Sequence, residues 1–202
     1  MCGRYYIDDD TAREIEKLVR QADEKMHGTA PRRMELEAKD IHPSEEAPIL
    51  VPSGSGPECK WQRWGFPGFR KGEVIFNARS ESAMEKPMFR EAVLHRRAVI
   101  PAAWFYEWDR SKQKYTFYRK GREPLFMAGC CRRYEDGDRF VILTTQANAS
   151  MQPIHDRMPL ILERDEVADW LYQDAAAGKI LYKSPPLLER RSEYEQMSLP
   201  GI

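Results

Sequence analysis

The chain has 202 residues and a mass of 23.6 kDa, which fits one domain because domains commonly contain about 100–200 residues. Apolar residues make up 42% and charged residues 32%, so we expect a soluble globular protein, and no apolar run approaches the roughly 18–20 residues that span a bilayer. Basic and acidic residues are equal at 32 each, so the net charge offers no argument for nucleic-acid binding, and any such site must be local.

The start of the chain lacks a basic region followed by an apolar stretch, so we expect no signal peptide and a cytoplasmic protein. In that compartment its four cysteines, Cys2, Cys59, Cys130 and Cys131, should be reduced thiols rather than disulfides. Their spacing contains no Cys-x-x-Cys pair and no histidine-rich partner. Neither a metal nor another cofactor is therefore predicted.

Met1-Cys2-Gly3-Arg4 opens the chain. Initiator methionine is normally removed before a small residue, which would leave Cys2 with a free α-amine next to its thiol. An α-amine has an ordinary pKa of about 7.7–8.0, so near neutral pH part of it is an uncharged nucleophile. Such an aminothiol can trap an aldehyde as an imine that sulfur closes into a thiazolidine, or attack an amide through sulfur. The alternative is an ordinary small residue at a flexible terminus.

Residues 2–7 are predicted to form a short strand because they include aromatic and β-branched residues. A helix should follow, with Thr11 and Glu14 as its capping box. The apolar residues of this helix share one face at helical spacing: Ile15, Leu18, Val19 and Ala22. Residues 28–57 contain five prolines and a Ser-Gly cluster, which predict a long irregular connection around one short strand, 47–51.

A polar cluster follows the apolar run at residues 74–76. The preceding segment, 59–64, is predicted as a strand that ends at a glycine and a proline. The run at 74–76 predicts a second strand that delivers Asn77 and Arg79 to one place, because residues two apart share a face. The alternatives are a turn amide for Asn77 and a solvated charge for Arg79.

Glu107 lies inside an aromatic block, Trp104-Phe105-Tyr106-Glu107-Trp108, after a predicted helix at 88–97 and a predicted buried strand at 98–101. Glutamate is rarely buried without a partner. A carboxyl group desolvated by aromatic rings would suit proton transfer near neutral pH. The alternative is an edge-strand glutamate that points to water, with the aromatic residues on the other face.

Further strands are predicted, the first three as an antiparallel meander: residues 115–118, 124–132, 139–146 and 160–162. The polar loop at 147–159 carries His155 and Arg157 between two prolines that stiffen it. His155 either takes part in chemistry or anchors the loop with a hydrogen bond. Asp165 should cap a last helix, and residues 183–202 should form a loosely attached tail.

Four motifs now stand in order: Cys2-Gly3-Arg4, Asn77-Ala78-Arg79-Ser80-Glu81, Ile100-Pro101-Ala102 leading to Phe105-Tyr106-Glu107-Trp108, and His155-Asp156-Arg157-Met158-Pro159. Together they resemble the SRAP family, the SOS-response-associated peptidases, from residue 2 to about residue 172. Four motifs in this order are specific evidence for the resemblance, whereas each motif alone is weak evidence. Two segments depart from the family pattern but leave the catalytic positions intact: Trp64-Gly65-Phe66-Pro67, usually Trp-Gly-Leu-Ile-Pro, and Ala103-Trp104, often a small polar residue and glycine.

The resemblance implies a single α+β domain over residues 1–202, with a core at about 2–172 that is a curved, largely antiparallel, barrel-like sheet with peripheral helices. It implies a monomer that senses abasic sites in single-stranded DNA during the SOS and DNA damage response, associated with the nucleoid while bound. The aldehyde at C1′ of the opened sugar would be captured by Cys2 as a thiazolidine DNA–protein crosslink that protects the lesion. An autopeptidase activity that exposes Cys2 and a lyase-type activity are also implied.

Four catalytic residues are implied by the resemblance: Cys2, Asn77, Glu107 and His155. Asn77 would orient Cys2 or the sugar, Glu107 would shuttle protons during ring opening, and His155 would assist imine formation and its reversal. DNA contacts are implied for seven residues: Arg4, Arg79, Trp104, Tyr106, Trp108, Arg157 and Met158. The arginines would bind phosphate, and the aromatic residues would stack on bases or wall the pocket.

Two other classes of function stay open. Met-Cys-Gly also opens the N-terminal-nucleophile glutaminases, although the chain shows none of the Gly-rich oxyanion segments that such an enzyme needs. The other class is a single-stranded DNA-binding module without covalent chemistry.

Overall fold

A computed structural model of the protein describes residues 2–23, 38–54 and 56–192, which form fifteen strands and five α-helices. The strands are β1 (Tyr5–Ile7), β2 (Lys39–Ile41), β3 (Glu46–Ser53), β4 (Gly56–Trp64), β5 (Phe66–Pro67), β6 (Val74–Ile75), β7 (Asn77–Arg79), β8 (Arg97–Ala102), β9 (Trp104–Trp108), β10 (Lys114–Tyr118), β11 (Leu125–Tyr134), β12 (Gly137–Gln146), β13 (Arg157–Pro159), β14 (Ile161–Leu162) and β15 (Glu189–Ser192). The helices are α1 (Asp9–Asp23), α2 (Ser80–Ala83), α3 (Pro87–His95), α4 (Glu166–Tyr172) and α5 (Asp174–Ile180).

Two sheets organise these strands. The smaller sheet is antiparallel and has the order β15-β10-β9-β1-β2. The larger sheet runs β13-β12-β4-β3-β8-β11-β14, and a further pairing of β11 with β12 closes five strands into a barrel-like ring. Among the strand pairings of the described residues, only those of β12 with β4 and with β7 are parallel. The predicted α+β class, with a largely antiparallel and barrel-like sheet, is confirmed.

Each face of the larger sheet carries its own hydrophobic cluster. Cys130 packs in the cluster that receives the helices, and its neighbour Cys131 packs in the cluster shared with the five-stranded sheet. This agrees with the alternation of side chains along a strand. All six residues of β8 are buried, as expected of a strand covered on both faces. The four cysteines are free thiols, as predicted.

The N-terminus of α1 differs from the prediction. Asp8 caps this helix: its Oδ1 accepts hydrogen bonds from the Thr11 backbone N–H at 2.8 Å and from the Thr11 hydroxyl at 2.7 Å. Thr11 is therefore inside the first turn, and the predicted Thr11–Glu14 capping box is wrong. Aspartate is as good an N-cap as threonine, and the helix begins earlier because Asp9 and Asp10 suit its positive end.

The proline-rich segment is more regular than predicted. β3 and β4 pair from Glu46 opposite Arg63 to Ser53 opposite Gly56, which makes both strands longer than expected. Residues 28–37 and 55 of the segment lie outside the described residues. β3 meets β8 at one bridge only, Leu50 to Val99. Few backbone N–H donors are therefore needed on the edge of β3 that faces β8, and prolines in β3 are tolerated there.

Two other segments are more ordered than their composition indicates. The end of the polar loop forms β13, which pairs with β12. Part of the predicted tail forms β15, which pairs with β10, and buries Leu188. The amide of Asn148 donates to the carbonyl oxygens of Pro185 and Pro186 at 2.9 and 3.0 Å. Up to residue 192, the tail is thus an integral edge of the smaller sheet.

No helix in the described ranges is long and apolar enough to cross a membrane.

Candidate active site

Cys2 is held by Asn77 from the neighbouring sheet. The side chain of Cys2 is 1% exposed, and the Asn77 Nδ2 donates a hydrogen bond to the Cys2 carbonyl oxygen at 3.0 Å. β7 positions Asn77 because it pairs with the central strand β12, where Asn77 lies opposite Ile142. Neither alternative for Cys2 and Asn77 fits this geometry, since the start of the chain is buried and the amide bonds a residue 75 positions away.

Glu107 lies near enough to Cys2 for its charge to influence the thiol. Burial of the thiol, and then the negative charge of Glu107, raise the pKa of Cys2 well above its ordinary value. Glu107 is itself buried, with 5% exposure. At neutral pH the thiol therefore keeps its proton, and it donates a hydrogen bond to the Arg4 carbonyl oxygen at 3.8 Å.

The surroundings of Glu107 differ from both predictions. Along β9, Phe105 and Glu107 point into the protein, whereas Trp104, Tyr106 and Trp108 are half-exposed on the opposite face. The rings of this outer face therefore do not enclose the carboxyl group, and the carboxyl group does not point to water. The alternation of side chains along a strand separates them.

The outer aromatic residues contact one another and Arg4. Trp104 stacks on Tyr6 with ring centres 4.3 Å apart, and the Trp104 indole N–H donates to the Tyr106 hydroxyl oxygen at 2.7 Å. The Arg4 guanidinium lies 5.4 Å from the Trp108 ring and 5.8 Å from the Tyr106 ring. Arg4 thus links the strand that follows Cys2 to this outer face.

His155 lies beyond the ends of β12 and β13, in a loop that packs against the cluster containing Cys2 through Met151 and Ile154. The Arg157 backbone N–H donates to the His155 Nδ1 at 2.9 Å, while an Asp156 carboxylate oxygen lies 3.0 Å from the same nitrogen. These contacts require opposite protonation states of Nδ1. Because the backbone donor is fixed and Asp156 is exposed, we assign Nδ1 as the acceptor and Nε2 as the protonated nitrogen of the neutral ring.

Arg157 was predicted to bind phosphate, but its guanidinium is engaged within the protein. Two of its nitrogens donate to the Glu81 carboxylate at 2.7 and 2.9 Å, and one also donates to the Thr144 carbonyl oxygen at 2.6 Å. A bidentate pair of this kind is geometrically specific. It connects the helix that follows Asn77 to the loop of His155, which makes Arg157 a positioning residue.

Met158 was predicted to contact DNA, and its burial contradicts that contact. Its side chain is 1% exposed and packs in the cluster that also contains Cys2. Its sulfur lies 3.4 Å from the backbone N–H of Asn148. Met158 therefore anchors the His155 loop from inside the core.

The Glu81–Arg157 pair predicts a pH dependence of stability. The hydrogen bond from Arg157 lowers the pKa of Glu81, so the pair stabilises the fold above the ordinary glutamate pKa of about 4.3. This contribution is lost as the pH falls through the lowered pKa. We expect Glu81→Gln to lower the Tm at pH 7, by an amount equivalent to about 1 kcal/mol or less because Glu81 is partly exposed.

Thermal unfolding of wild type and Glu81→Gln between pH 7 and pH 3 measures this difference. The two melting temperatures should converge at the acid end. Arg157→Gln serves as the matched control, since it removes the same pair and the double variant should lose little more. A difference in Tm that stays constant to pH 3 would show that the pair does not act through the Glu81 charge.

Asn77 and Arg79 both line a cavity of about 670 Å³. Arg79 is exposed there, and Lys86 and Arg132 add two further cations to the wall. Phe69, at the same cavity, is 89% exposed. The sequence analysis did not identify Lys86, Arg132 or Phe69. For Phe69 a signal was available, because it is an isolated aromatic residue in a turn rich in glycine and charged residues.

Among the described residues, no group of three or more histidine, cysteine or acidic side chains is close enough to hold a metal ion.

A buried Cys2 whose carbonyl oxygen accepts a hydrogen bond from Asn77, on a two-sheet α+β domain that also buries Glu107, defines the candidate site. A family model described as SOS response associated peptidase (SRAP) matches residues 1–197, and the chain belongs to this family.

Curated relatives carry names that refer to abasic sites. The abasic site processing protein YoqW of Bacillus subtilis is 30% identical over 185 residues, which cover 85% of this chain and 80% of YoqW. YoaM of the same organism, named likewise, is 35% identical over 146 residues, and the match spans 65% of this chain and 64% of YoaM. YedK of Escherichia coli, a third abasic site processing protein, is 33% identical over 119 residues, 55% of this chain and 54% of YedK.

Solved structures share the fold. A Bordetella bronchiseptica protein is 26% identical, with a TM-score of 0.72 over 95% of this chain and 99% of that chain. A phage-related protein from the same organism has a TM-score of 0.74 at 20% identity, which supports the fold alone.

Proposed function

We propose that the chain captures abasic sites in single-stranded DNA as a thiazolidine crosslink on Cys2, after removal of Met1. The names of the curated relatives support DNA processing at abasic sites. The observation that carries the finer proposal is that Asn77 holds the backbone of the buried Cys2 with a hydrogen bond of 3.0 Å; the charge of the buried Glu107 also raises the pKa of the Cys2 thiol.

The chemistry follows from an amine and a thiol on one residue. The uncharged α-amine of Cys2 attacks the aldehyde carbon C1′ of the ring-opened sugar, and loss of one water leaves an imine. The thiol then adds across this C=N bond: sulfur bonds to C1′, and the thiol proton ends on the nitrogen. We assign the transfer of that proton to Glu107, which is buried and whose charge raises the pKa of the thiol.

The raised pKa of Cys2 favours this route over glutamine hydrolysis. An amidohydrolase needs sulfur to attack first, and a thiol held in its protonated form is a weak nucleophile. In the imine route the amine attacks first, and the thiol is needed only when the ring closes. The protonated thiol therefore suits aldehyde capture.

Two buried polar atoms near Cys2 are candidates to bind the sugar. Tyr5 is fully buried, and burial and the adjacent Cys2 raise its pKa. Within the described ranges, neither its hydroxyl nor the Asn77 Oδ1 has a hydrogen-bond partner. Buried polar groups normally have partners, so the hydroxyls of an opened deoxyribose can supply them.

The cavity beside Asn77 is suited to a flanking nucleotide. Arg79, Lys86 and Arg132 offer cations to phosphate oxygens, and the exposed ring of Phe69 offers a surface on which a base can stack.

Salt dependence tests the phosphate contact of Arg79. Each phosphate contact on a single strand contributes a slope of roughly −0.7 to a plot of log K against log salt. We expect Arg79→Ala to weaken binding of intact single-stranded DNA and to flatten this slope by about that amount. Fluorescence anisotropy at several salt concentrations measures both quantities.

Arg13→Ala is the matched control, because Arg13 is an exposed arginine on α1 that pairs with Asp10. Arg157→Ala should leave the slope nearly unchanged, since its guanidinium is bound to Glu81. A slope for Arg79→Ala equal to that of Arg13→Ala would remove Arg79 from the DNA contacts.

A denaturing gel tests the proposed function as a whole. Oligonucleotides that are identical except for one abasic site are incubated with the protein, and glutaminase activity is assayed in parallel. We expect a heat-stable adduct with the abasic strand only. Ammonia release from glutamine without an adduct would support the hydrolase instead, and binding without an adduct would support a non-covalent module.

A further inference from the structure

The outer face of the five-stranded sheet carries basic and polar side chains that the crosslinking chemistry does not use. In the register of this sheet, Thr116 on β10 lies opposite Tyr106 on β9, and Arg191 on β15 lies opposite Thr116. Lys114 lies opposite Trp108, with its Nζ 5.1 Å from the Tyr106 ring centre. Aromatic rings and cations therefore occupy neighbouring positions across three strands.

Arg122 reaches the same face from the turn after β10. Its guanidinium lies 4.4 Å from the Tyr118 ring centre. Its backbone has a φ of 61°, a left-handed conformation that is uncommon for a residue other than glycine. Such strain is often retained where a side chain has a function. Here this backbone conformation places the Arg122 side chain on the outer face.

These side chains surround a small cavity of about 170 Å³. Lys114, Arg122 and Arg191 supply three cations to its wall, and Thr116 supplies a hydroxyl. Arg122 and Arg191 both line this cavity, so an anion that enters the cavity can contact both guanidinium groups.

The local charge supports this reading. Residues 110–122 contain six basic residues and no acidic residue, although the whole chain has a net charge of zero. Among the described residues, two acidic side chains also reach the face: Asp40 is 3.9 Å from Arg4 and interacts with Tyr106, and Glu189 lies opposite Tyr118 on the edge strand β15. The wall of the cavity itself carries the three cations and no described carboxylate, and a concentration of one sign attracts a polyanion.

We propose that Lys114, Thr116, Arg122 and Arg191 form a phosphate cradle for the single-stranded DNA that continues from the abasic nucleotide, an inference that rests on the proposed function. Arg4 connects Cys2 to this face, because it is two residues from Cys2 and its guanidinium lies over the Tyr106 and Trp108 rings. The DNA would run from β9 across β10 to β15, a distance of two inter-strand spacings, about 10 Å. The aromatic rings form the floor of the path, as in other sheets that bind unpaired strands.

The test is a triple variant, Lys114→Gln with Arg122→Gln and Arg191→Gln, measured by anisotropy on an intact single-stranded oligonucleotide without an abasic site. We expect at least a tenfold loss of affinity and a salt slope that is flatter by about 2, since three contacts each contribute roughly 0.7. A second variant carries Arg122→Lys and Arg191→Lys together with Lys114→Gln. It should recover most of the salt slope of the wild type, because phosphate recognition needs the charge.

The matched control is Arg13→Gln with Lys17→Gln and Lys179→Gln, which removes the same charge from α1 and α5 on the helix-covered side. This control should bind as wild type does. The cradle is refuted if the Lys114, Arg122 and Arg191 variant keeps the affinity and slope of the control variant.

Failure of the cradle and failure of the proposed function give different results. Binding to intact DNA does not depend on Cys2 chemistry. A wild-type protein that binds through the cradle but forms no adduct with abasic DNA would overturn the proposed function and leave the cradle supported. An adduct that forms normally, with a triple variant that binds like the control, would overturn the cradle alone.

Discussion

Replacing Cys2 with alanine should abolish the heat-stable adduct with abasic single-stranded DNA. The variant keeps an α-amine once Met1 is removed, so it can still form an imine. Without sulfur the imine cannot close into a ring, and it hydrolyses back to the aldehyde. Binding of intact single-stranded DNA should change little, because the proposed phosphate contacts lie on Arg79 and on the outer face. Denaturing gels with and without heating measure the adduct, and anisotropy measures the binding.

Cys2→Ser is the informative companion variant. Its hydroxyl has nearly the same size, so the hydrogen bond from Asn77 to the residue 2 carbonyl should persist. The α-amine can still form a labile imine, and the serine hydroxyl can close it only into a labile oxazolidine, so an adduct that survives only mild conditions is expected. Heat-stable adducts at wild-type yield in Cys2→Ala would contradict the thiazolidine chemistry.

Glu107→Gln should slow crosslinking by about 10²–10⁴-fold, the usual contribution of a positioned proton carrier. The ring-opened sugar is a minor form, and both ring opening and closure on sulfur move a proton near C1′. Glutamine keeps the shape of the buried side chain but cannot carry that proton. It also removes the charge that helps to raise the pKa of Cys2, so the pH dependence of crosslinking should shift with it. Single-turnover crosslinking at saturating DNA, across pH 5.5–8, measures both changes.

His155→Gln provides the contrast for this measurement. We propose that the His155 Nε2 exchanges a proton with the Cys2 amine or with the sugar as the thiazolidine reopens. Its loss should therefore change the reverse rate, measured as release into excess competing abasic DNA, more than the forward rate. Glu107→Gln should chiefly slow the forward reaction. A wild-type forward rate in Glu107→Gln would make that carboxyl group structural.

Cys2 and Asn77 could each be singled out in the sequence because both are marked by local features. Cys2 is marked by its position at the start of the chain, and Asn77 by its place at the end of an apolar run. Their contact could not be predicted from local features, since 75 residues separate them and the parallel pairing of β7 with β12 brings Asn77 to Cys2.

The surroundings of Glu107 show which signal was missed. Strand alternation alone separates Glu107 from Trp104, Tyr106 and Trp108. What the sequence does not reveal is which face a second layer covers. The buried Phe105 and Phe117, with ring centres 5.3 Å apart, identify the covered face, and that layer is assembled from distant segments.

The segment around His155 was interpreted as a polar loop in which Arg157 and Met158 contact DNA, whereas the structure gives both side chains partners within the protein. Arg157 is satisfied by Glu81, which lies 76 residues earlier, and Met158 fills the core. A charged residue in a loop looks available for phosphate until its acidic partner is known. The edge strand β15 was not predicted for the same reason. Its composition is polar, and it forms a strand because it pairs with the distant strand β10.

Intact mass spectrometry of the protein after reaction with an abasic single-stranded oligonucleotide tests the central claim most directly. The account predicts one adduct, with the mass of the chain without Met1 plus the oligonucleotide minus one water, and peptide mapping should locate it on Cys2 with the thiol no longer open to alkylation. An adduct that retains Met1, or one attached to a lysine while the Cys2 thiol remains open to alkylation, would contradict it.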